Sequence, residues 1–203
     1  MAEPAIARLT IDLEALAHNF HVLEREAAGA ELAPVVKADG YGLGAAQIGR
    51  RLWAEGARRF FVARLAEGEA LRAALGPGRP ARIHILDGFT AGSGPRLAAS
   101  ELTPVLCALP QVSAASAWAA ASGRPLAVGL HIDTGMNRQG LTAAEARALA
   151  QAGDRLRGLD VGLVMSHLGS ASEPQDPRNS SQLTAFLEVR SLFPEAKSAV
   201  ADP

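Results

Sequence analysis

A chain of 203 residues that is 48% hydrophobic and 20% charged has the make-up of a folded soluble protein, long enough for one domain or for one domain and part of another. Lysines and arginines number 20 against 21 aspartates and glutamates, a net charge of −1; with basic residues scattered singly or in pairs and few aromatics, no nucleic-acid partner is expected. The single cysteine, Cys107, excludes an intrachain disulfide, no apolar run approaches the ~20 residues of a membrane helix, and the N-terminus lacks a basic region followed by an apolar one, so no membrane partner and a cytoplasmic location are expected.

In chain order, residues 6–12 read as a short strand, and Leu13, Leu16, Ala17, Phe20 and Leu23 recur at helical spacing. His18 and His21 then fall on other faces of that helix as solvated histidines. Residues 33–44, Ala-Pro-Val-Val-Lys-Ala-Asp-Gly-Tyr-Gly-Leu-Gly, read as a buried strand ending on Lys37 and a glycine loop with close backbone approach. An alanine-rich helix follows over 45–55. Residues 60–63 predict the next strand, 66–74 a helix, and 76–80 a break rich in Gly and Pro. The 83–86 run alternates as a strand does, which makes His84 a strand residue. Residues 91–95 read as a loop, and 102–106 as a strand in which Pro104 argues for a position near an end. Cys107 completes this apolar run as a small buried hydrophobe.

After a helix reaching Ala121, residues 126–132 form a longer strand that delivers Asp-Thr-Gly-Met-Asn-Arg at 133–138. Thr142 with Glu145 makes a capping box for the next helix. Residues 159–165 predict a strand ending at Ser166-His167-Leu168-Gly169, residues 173–181 a polar loop, and 182–193 a last helix. Strand and helix alternate throughout, so the fold class is α/β with a parallel sheet. A closed eight-fold barrel takes roughly 250 residues, more than this chain has.

Three strand ends carry the polar groups: Lys37 with Tyr41, then Arg138, then His167. Parallel α/β folds place chemistry at such ends, and residues far apart in sequence meet on one rim. A lysine that loses solvation there becomes an amine nucleophile towards a carbonyl. Spacing alone also fits a surface lysine beside a turn, a surface arginine and a rim histidine that is merely hydrogen-bonded.

Val-Val-Lys-Ala-Asp-Gly-Tyr-Gly-Leu-Gly at 35–44 resembles the pyridoxal-phosphate lysine motif of the alanine racemases. Leu-His-Ile-Asp-Thr-Gly-Met-Asn-Arg-Gln-Gly at 130–140 and Val-Met-Ser-His-Leu-Gly-Ser-Ala at 164–171 resemble two further signatures of the same family. The resemblance reaches about Ser198. It implies an incomplete (β/α)8 TIM-type barrel of about six to seven strands without the family's C-terminal β domain. The units would be an N-terminal strand segment at 1–12, a cofactor-binding partial barrel at 13–198 and a non-matching tail at 199–203.

The same resemblance implies a pyridoxal 5'-phosphate-dependent isomerase that interconverts L- and D-alanine and supplies D-alanine for peptidoglycan. Lys37 would be its Schiff-base lysine and one of two bases. Tyr41 would bond the cofactor phosphate. Arg138 would lie by the phenolic oxygen and the substrate carboxylate, and His167 would hold an arginine facing the pyridine nitrogen. No metal is implied. Asp39 and Asp133 read as residues that fix loops.

In the family the second base is a tyrosine from the other subunit of a homodimer, yet the one tyrosine here is Tyr41. The chain therefore reads as truncated, and inactive alone. His131 stands where some members carry a carbamylated lysine. Two alternatives stay open: a non-catalytic, single-barrel pyridoxal-phosphate protein, and a racemase of another amino acid.

Overall fold

The computed structural model describes residues 7–201. Six strands, β1 (Arg59–Val62), β2 (Arg82–Ile85), β3 (Leu102–Leu106), β4 (Leu126–His131), β5 (Leu159–His167) and β6 (Lys197–Ala201), form one sheet in sequence order. Every pairing is parallel. A single parallel bridge from Val35 to Phe61 adds the lysine run beside β1. The result is a curled half-barrel with its strand C-termini on one rim and its N-termini on the opposite floor.

Helices lie between and outside the strands: α1 (Leu13–Glu26), α3 (Ala45–Ala54), α4 (Leu65–Leu75), α5 (Gly94–Ala99), α6 (Leu109–Ser122), α7 (Ala143–Gln151) and α8 (Pro177–Arg190). One further turn, α2 (Lys37–Tyr41), is wound left-handed. The main core fills the space between helices and sheet, with Phe60, Leu71, Ile83, Leu106, Leu130, Leu149 and Phe186 buried in it. Phe61, Val105, Leu163 and Met165 form a second cluster, packed with Ala33, Leu86 and Ala199. Phe60 and Phe61 point to opposite sides because strand side chains alternate. The second cluster is thus the inner face of the curl.

Several elements differ from the sequence reading. No strand forms over residues 7–12, and Ile6 lies outside the described residues; instead Asp12 caps α1, its Oδ1 accepting the N–H groups of Glu14 and Ala15 at 2.9 Å each. Asp is a strong N-cap, so the helix start outweighs the apolar run before it. Part of the 91–95 loop is α5, which has Pro at its first turn. The last helix starts at Pro177 rather than Gln182, because Asp176 caps it and Pro suits the first helical position.

The tail read as non-matching contributes to the sheet. Residues 199–201 belong to β6, with Ala199 opposite Met165 and Val200 opposite Ser166. Residues 202–203 lie outside the described part. Pro104 sits inside a central strand, contrary to rule. The reason is a hand-over: pairing to β2 ends at Pro104 and pairing to β4 begins at Val105. The capping box of α7 forms as read, Glu145 N–H donating to Thr142 Oγ1 at 3.2 Å and Thr142 N–H to Glu145 Oε2 at 2.8 Å.

Two single residues are also corrected. His21 is not merely solvated: its ring meets Glu24 at 3.1 Å and Glu55 at 2.9 Å. Cys107 is half-buried, with Sγ 3.3 Å from the Val105 carbonyl oxygen. His84 is a buried strand residue, as expected.

Candidate active site

Lys37 comes directly after the short pairing with β1. Val36 N–H donates to Phe61 O at 2.8 Å, and Phe61 N–H to Pro34 O at 2.9 Å. The expected buried strand is therefore a single bridge. The segment after it is an ordered turn rather than a loose glycine loop. Ala38, Asp39, Gly40 and Tyr41 all take positive φ, between 51° and 64°. Left-handed backbone costs roughly 1–2 kcal/mol for each non-glycine residue, so the surrounding structure must hold it.

Three sets of bonds do so. Gly40 N–H reaches Val36 O at 3.0 Å and Gly42 N–H reaches Ala38 O at 2.8 Å. Asp39 Oδ1 accepts Ala45 N–H at 2.8 Å, which also starts α3, where Gly44 has no side chain to cap with. Glu67 on α4 accepts Ala38 N–H through Oε1 at 3.0 Å and Ala63 N–H through Oε2 at 2.8 Å. Glu67 thus ties the lysine turn to the end of β1. Gly40 is required twice over: its φ is +64°, and an added Cβ would stand 2.9 Å from Ile48 Cδ1. The turn leaves Lys37 half-buried on the rim, its Nζ 5.9 Å from the centre of the Tyr41 ring. Tyr41 is exposed.

An apolar cavity of about 350 Å³ opens behind the turn, lined by Leu16, Phe20, Val36, Tyr41 and Leu43 among others. Lys37 does not line it, and it offers no charged side chain. A phosphorylated ligand would gain nothing there.

Arg138 lies exposed on the loop after β4. That loop is cinched at its base, where Leu141 N–H donates to His131 O at 2.8 Å and Asp133 N–H to Leu141 O at 2.9 Å. Inside it, Asp133 Oδ1 accepts Gly135 N–H at 2.9 Å and Asn137 N–H at 3.1 Å, and Asn137 takes a positive φ of 59°. His131 is buried and accepts the Gln139 amide at 3.2 Å, with Cys107 Sγ at 4.0 Å. Burial, with the nearby charges of His167 and Arg138, pushes His131 down to about 4. It is a neutral imidazole at neutral pH. Burial lifts the Cys107 thiol to about 11, which leaves it protonated and unreactive.

His167 ends β5, half-buried. Its backbone carbonyl accepts from Gln182 Nε2 at 3.1 Å; the same amide reaches Thr134 Oγ1 at 3.3 Å, and Gln182 Oε1 accepts Gly169 N–H at 2.9 Å. Ser166 and Thr134 hydroxyls meet at 2.8 Å. Gln182 therefore locks the loops after β4 and β5 to each other. The structure brings Arg138, His131 and His167 into one electrostatic neighbourhood, and Lys37 with Tyr41 into another on the same rim. Glu67, Gln139 and Gln182 were not singled out from sequence. Glu67 sits in an ordinary helix turn and Gln182 in a polar stretch, and nothing in their spacing marks their partners. No group of three or more metal-ligating side chains occurs among the described residues.

The family profile described as "Alanine racemase, N-terminal domain" matches residues 11–201. The chain belongs to the alanine racemase family. An alanine racemase of Methylobacterium nodulans is 45% identical over 197 residues, covering 97% of this chain and 52% of that protein. A catabolic alanine racemase of Mesorhizobium japonicum is 42% identical over 196 residues, 97% and 51% of the two chains. Among solved structures, the Bartonella henselae alanine racemase with covalently bound pyridoxal phosphate superposes with a TM-score of 0.87 at 29% identity, over 94% of this chain and 55% of that one. A histidine racemase from Leuconostoc mesenteroides, at 23% identity and a TM-score of 0.81, shares the fold. The chain spans about half the length of the alanine racemases it matches. It carries their half-barrel, with the lysine turn, the Arg138 loop and His167 all inside the matched span.

Proposed function

We propose that this chain is the cofactor-binding barrel portion of an alanine racemase, with Lys37 as the residue that holds pyridoxal 5'-phosphate covalently. The observation that carries the reading is the lysine itself: a half-buried primary amine directly after the single bridge to β1, fixed by a left-handed turn that Asp39 and Glu67 secure from both sides. The donor set fits a phosphorylated aldehyde. Lys37 supplies the amine, the Tyr41 hydroxyl a donor for a phosphate oxygen, and Arg138 a fork of N–H groups for anionic oxygens.

When bound, the cofactor supplies an electron sink that acidifies the α-proton of an amino acid. The residues of this chain would do the rest. Lys37 takes or returns the proton on one face. Arg138 orients the substrate carboxylate, held in place by the Asp133 turn. His167, at the end of β5, would orient a cationic group at the cofactor ring. Inversion needs a second acid/base on the opposite face, and the one tyrosine within these residues, Tyr41, belongs to the same turn as Lys37. We infer that the second base comes from another part of a cytoplasmic homodimer, and that residues 1–203 alone do not interconvert L- and D-alanine.

The test is borohydride reduction of the protein incubated with pyridoxal 5'-phosphate, followed by mass mapping. Label on Lys37 is the expected result; label elsewhere, or none, defeats the assignment. Appearance of D-alanine from L-alanine with the 203-residue chain would defeat the inactivity.

A further inference from the structure

The floor of the half-barrel carries a concentration of positive charge that the rim chemistry does not use. A cavity of about 410 Å³ opens there, lined by Arg58, Arg59, Arg82 and Lys197 with one carboxylate, Glu31. Arg59 and Arg82 are directly opposite each other on neighbouring strands, on the inner face. Like charges in that register repel. Glu31 neutralises part of the cluster: it meets Lys197 Nζ at 2.6 Å and Arg59 Nε at 3.5 Å. Arg58 donates to the carbonyls of Trp53 and Ala57 and lies over the Trp53 ring.

Arg82 has no such partner. Among the described residues it joins no ion pair, and Asp160 near the start of β5 is paired with none of the four cations. Arg82 is exposed, and its Nη1 stands 3.6 Å from where a Cβ at Gly162 would be, so the guanidinium reaches across the floor from β2 to β5. Buried beneath, His84 accepts from Arg59 Nη1 at 2.8 Å through Nε2, and its Nδ1 has no partner. Since a guanidinium can only donate, this ring is neutral. Burial with the charges of Arg59 and Arg82 holds it down to about 3.

We propose that this floor is a binding site for a small tetrahedral oxyanion of the phosphate class, gripped by Arg82, Arg59 and Lys197 at the end of the barrel opposite Lys37. A phosphate oxygen pair matches the planar fork of each arginine. An anion between Arg59 and Arg82 removes their repulsion, which the carboxylate of Glu31 does for one side only. Lys197, exposed on β6, closes the site from the far edge of the sheet.

The experiment is titration of the 203-residue chain with inorganic phosphate at constant ionic strength, followed by calorimetry and by the His84 imidazole resonances. Saturable binding, matched by sulfate and not by chloride, with His84 following the same curve, is expected. Arg82→Gln and Lys197→Gln should each weaken phosphate by roughly tenfold or more while circular dichroism shows the fold retained. Arg96→Gln, on the exposed Glu69 pair, should change nothing. Tyr41→Phe separates this site from the cofactor end. The proposal is overturned if phosphate does not saturate, if the Arg82 and Lys197 variants bind as the parent does, or if Tyr41→Phe rather than Arg82→Gln abolishes binding.

Discussion

At the rim, polar side chains are held by loops; at the floor, by the strands themselves. Lys37 and Tyr41 follow the single bridge to β1 and Arg138 follows β4, and all three depend on turns with positive φ, secured by carboxylates that accept backbone N–H groups. Arg59, Arg82 and Lys197 belong to β1, β2 and β6, and they meet a carboxylate or each other through the strand register. Strain and precise aim go together at the rim, where the proposed chemistry would need a substrate oriented. The floor is anchored by ladders that no single side chain maintains. Loss of one rim residue should therefore disable or destabilise its turn, and loss of one floor charge should alter anion affinity and little else.

The largest effect should come from Lys37→Ala. It should abolish borohydride-stable labelling by pyridoxal 5'-phosphate, with the unfolding midpoint close to the parent's, since Lys37 takes part in no ion pair among the described residues. Labelling that survives would move the cofactor amine elsewhere. Gly40→Ala comes next, with a loss of about 2–3 kcal/mol in denaturant unfolding, from positive φ and the close approach of Ile48 and Ala45. Gly78→Ala, in open space at a turn, is the control and should stay within about 0.5 kcal/mol.

Glu67→Gln tests the tie between the lysine turn and β1. One amide oxygen cannot serve the N–H groups of both Ala38 and Ala63, so a loss of about 1–2 kcal/mol is expected. Hydrogen exchange should quicken at Ala38 and Gly40 before it does at the floor; equal acceleration at both ends would erase the difference between them.

The smallest effect lies away from both ends. His21, beside Glu55 and then Glu24, titrates above its ordinary value. Its folded value is raised, so the stability it lends is fully present below the unfolded value of about 6.5 and fades as pH rises through the folded value. His21→Ala should flatten that part of the stability–pH curve, seen as melting temperatures that converge with the parent's on the alkaline side. Curves that stay parallel would show the pair to be worth nothing in solution.

Much of the molecule was legible in its sequence. The α/β rhythm, the parallel order and the capping box at Thr142 depend on local spacing, because periodicity and capping are set within a few residues, and the three motif windows around Lys37, Arg138 and His167 are contiguous stretches legible through their resemblance to a family. The features that local reading missed share one cause, which is pairing decided at a distance. The apolar run before Lys37 has strand composition but bridges only once, since the chain must turn left-handed at once to start α3. Residues 197–201 lack any strong strand signal and pair only because β5 offers an open edge with matching inner-face positions at Leu163 and Met165.

By itself, then, the sequence determined the fold class, the family and the identity of the amine on which the proposed chemistry rests. Tertiary structure alone decided which residues hold the turn of that amine and the loops beside it. Glu67 is 30 positions from Lys37 in the chain, and Gln182 is 48 from Thr134. Their bonds exist because packing of α4 and α8 brings them to the rim, and hydrogen bonds act only at contact distance. The same holds at the floor. Nothing in the sequence spacing of Arg59 and Arg82 predicts that they stand side by side; strand register places them there.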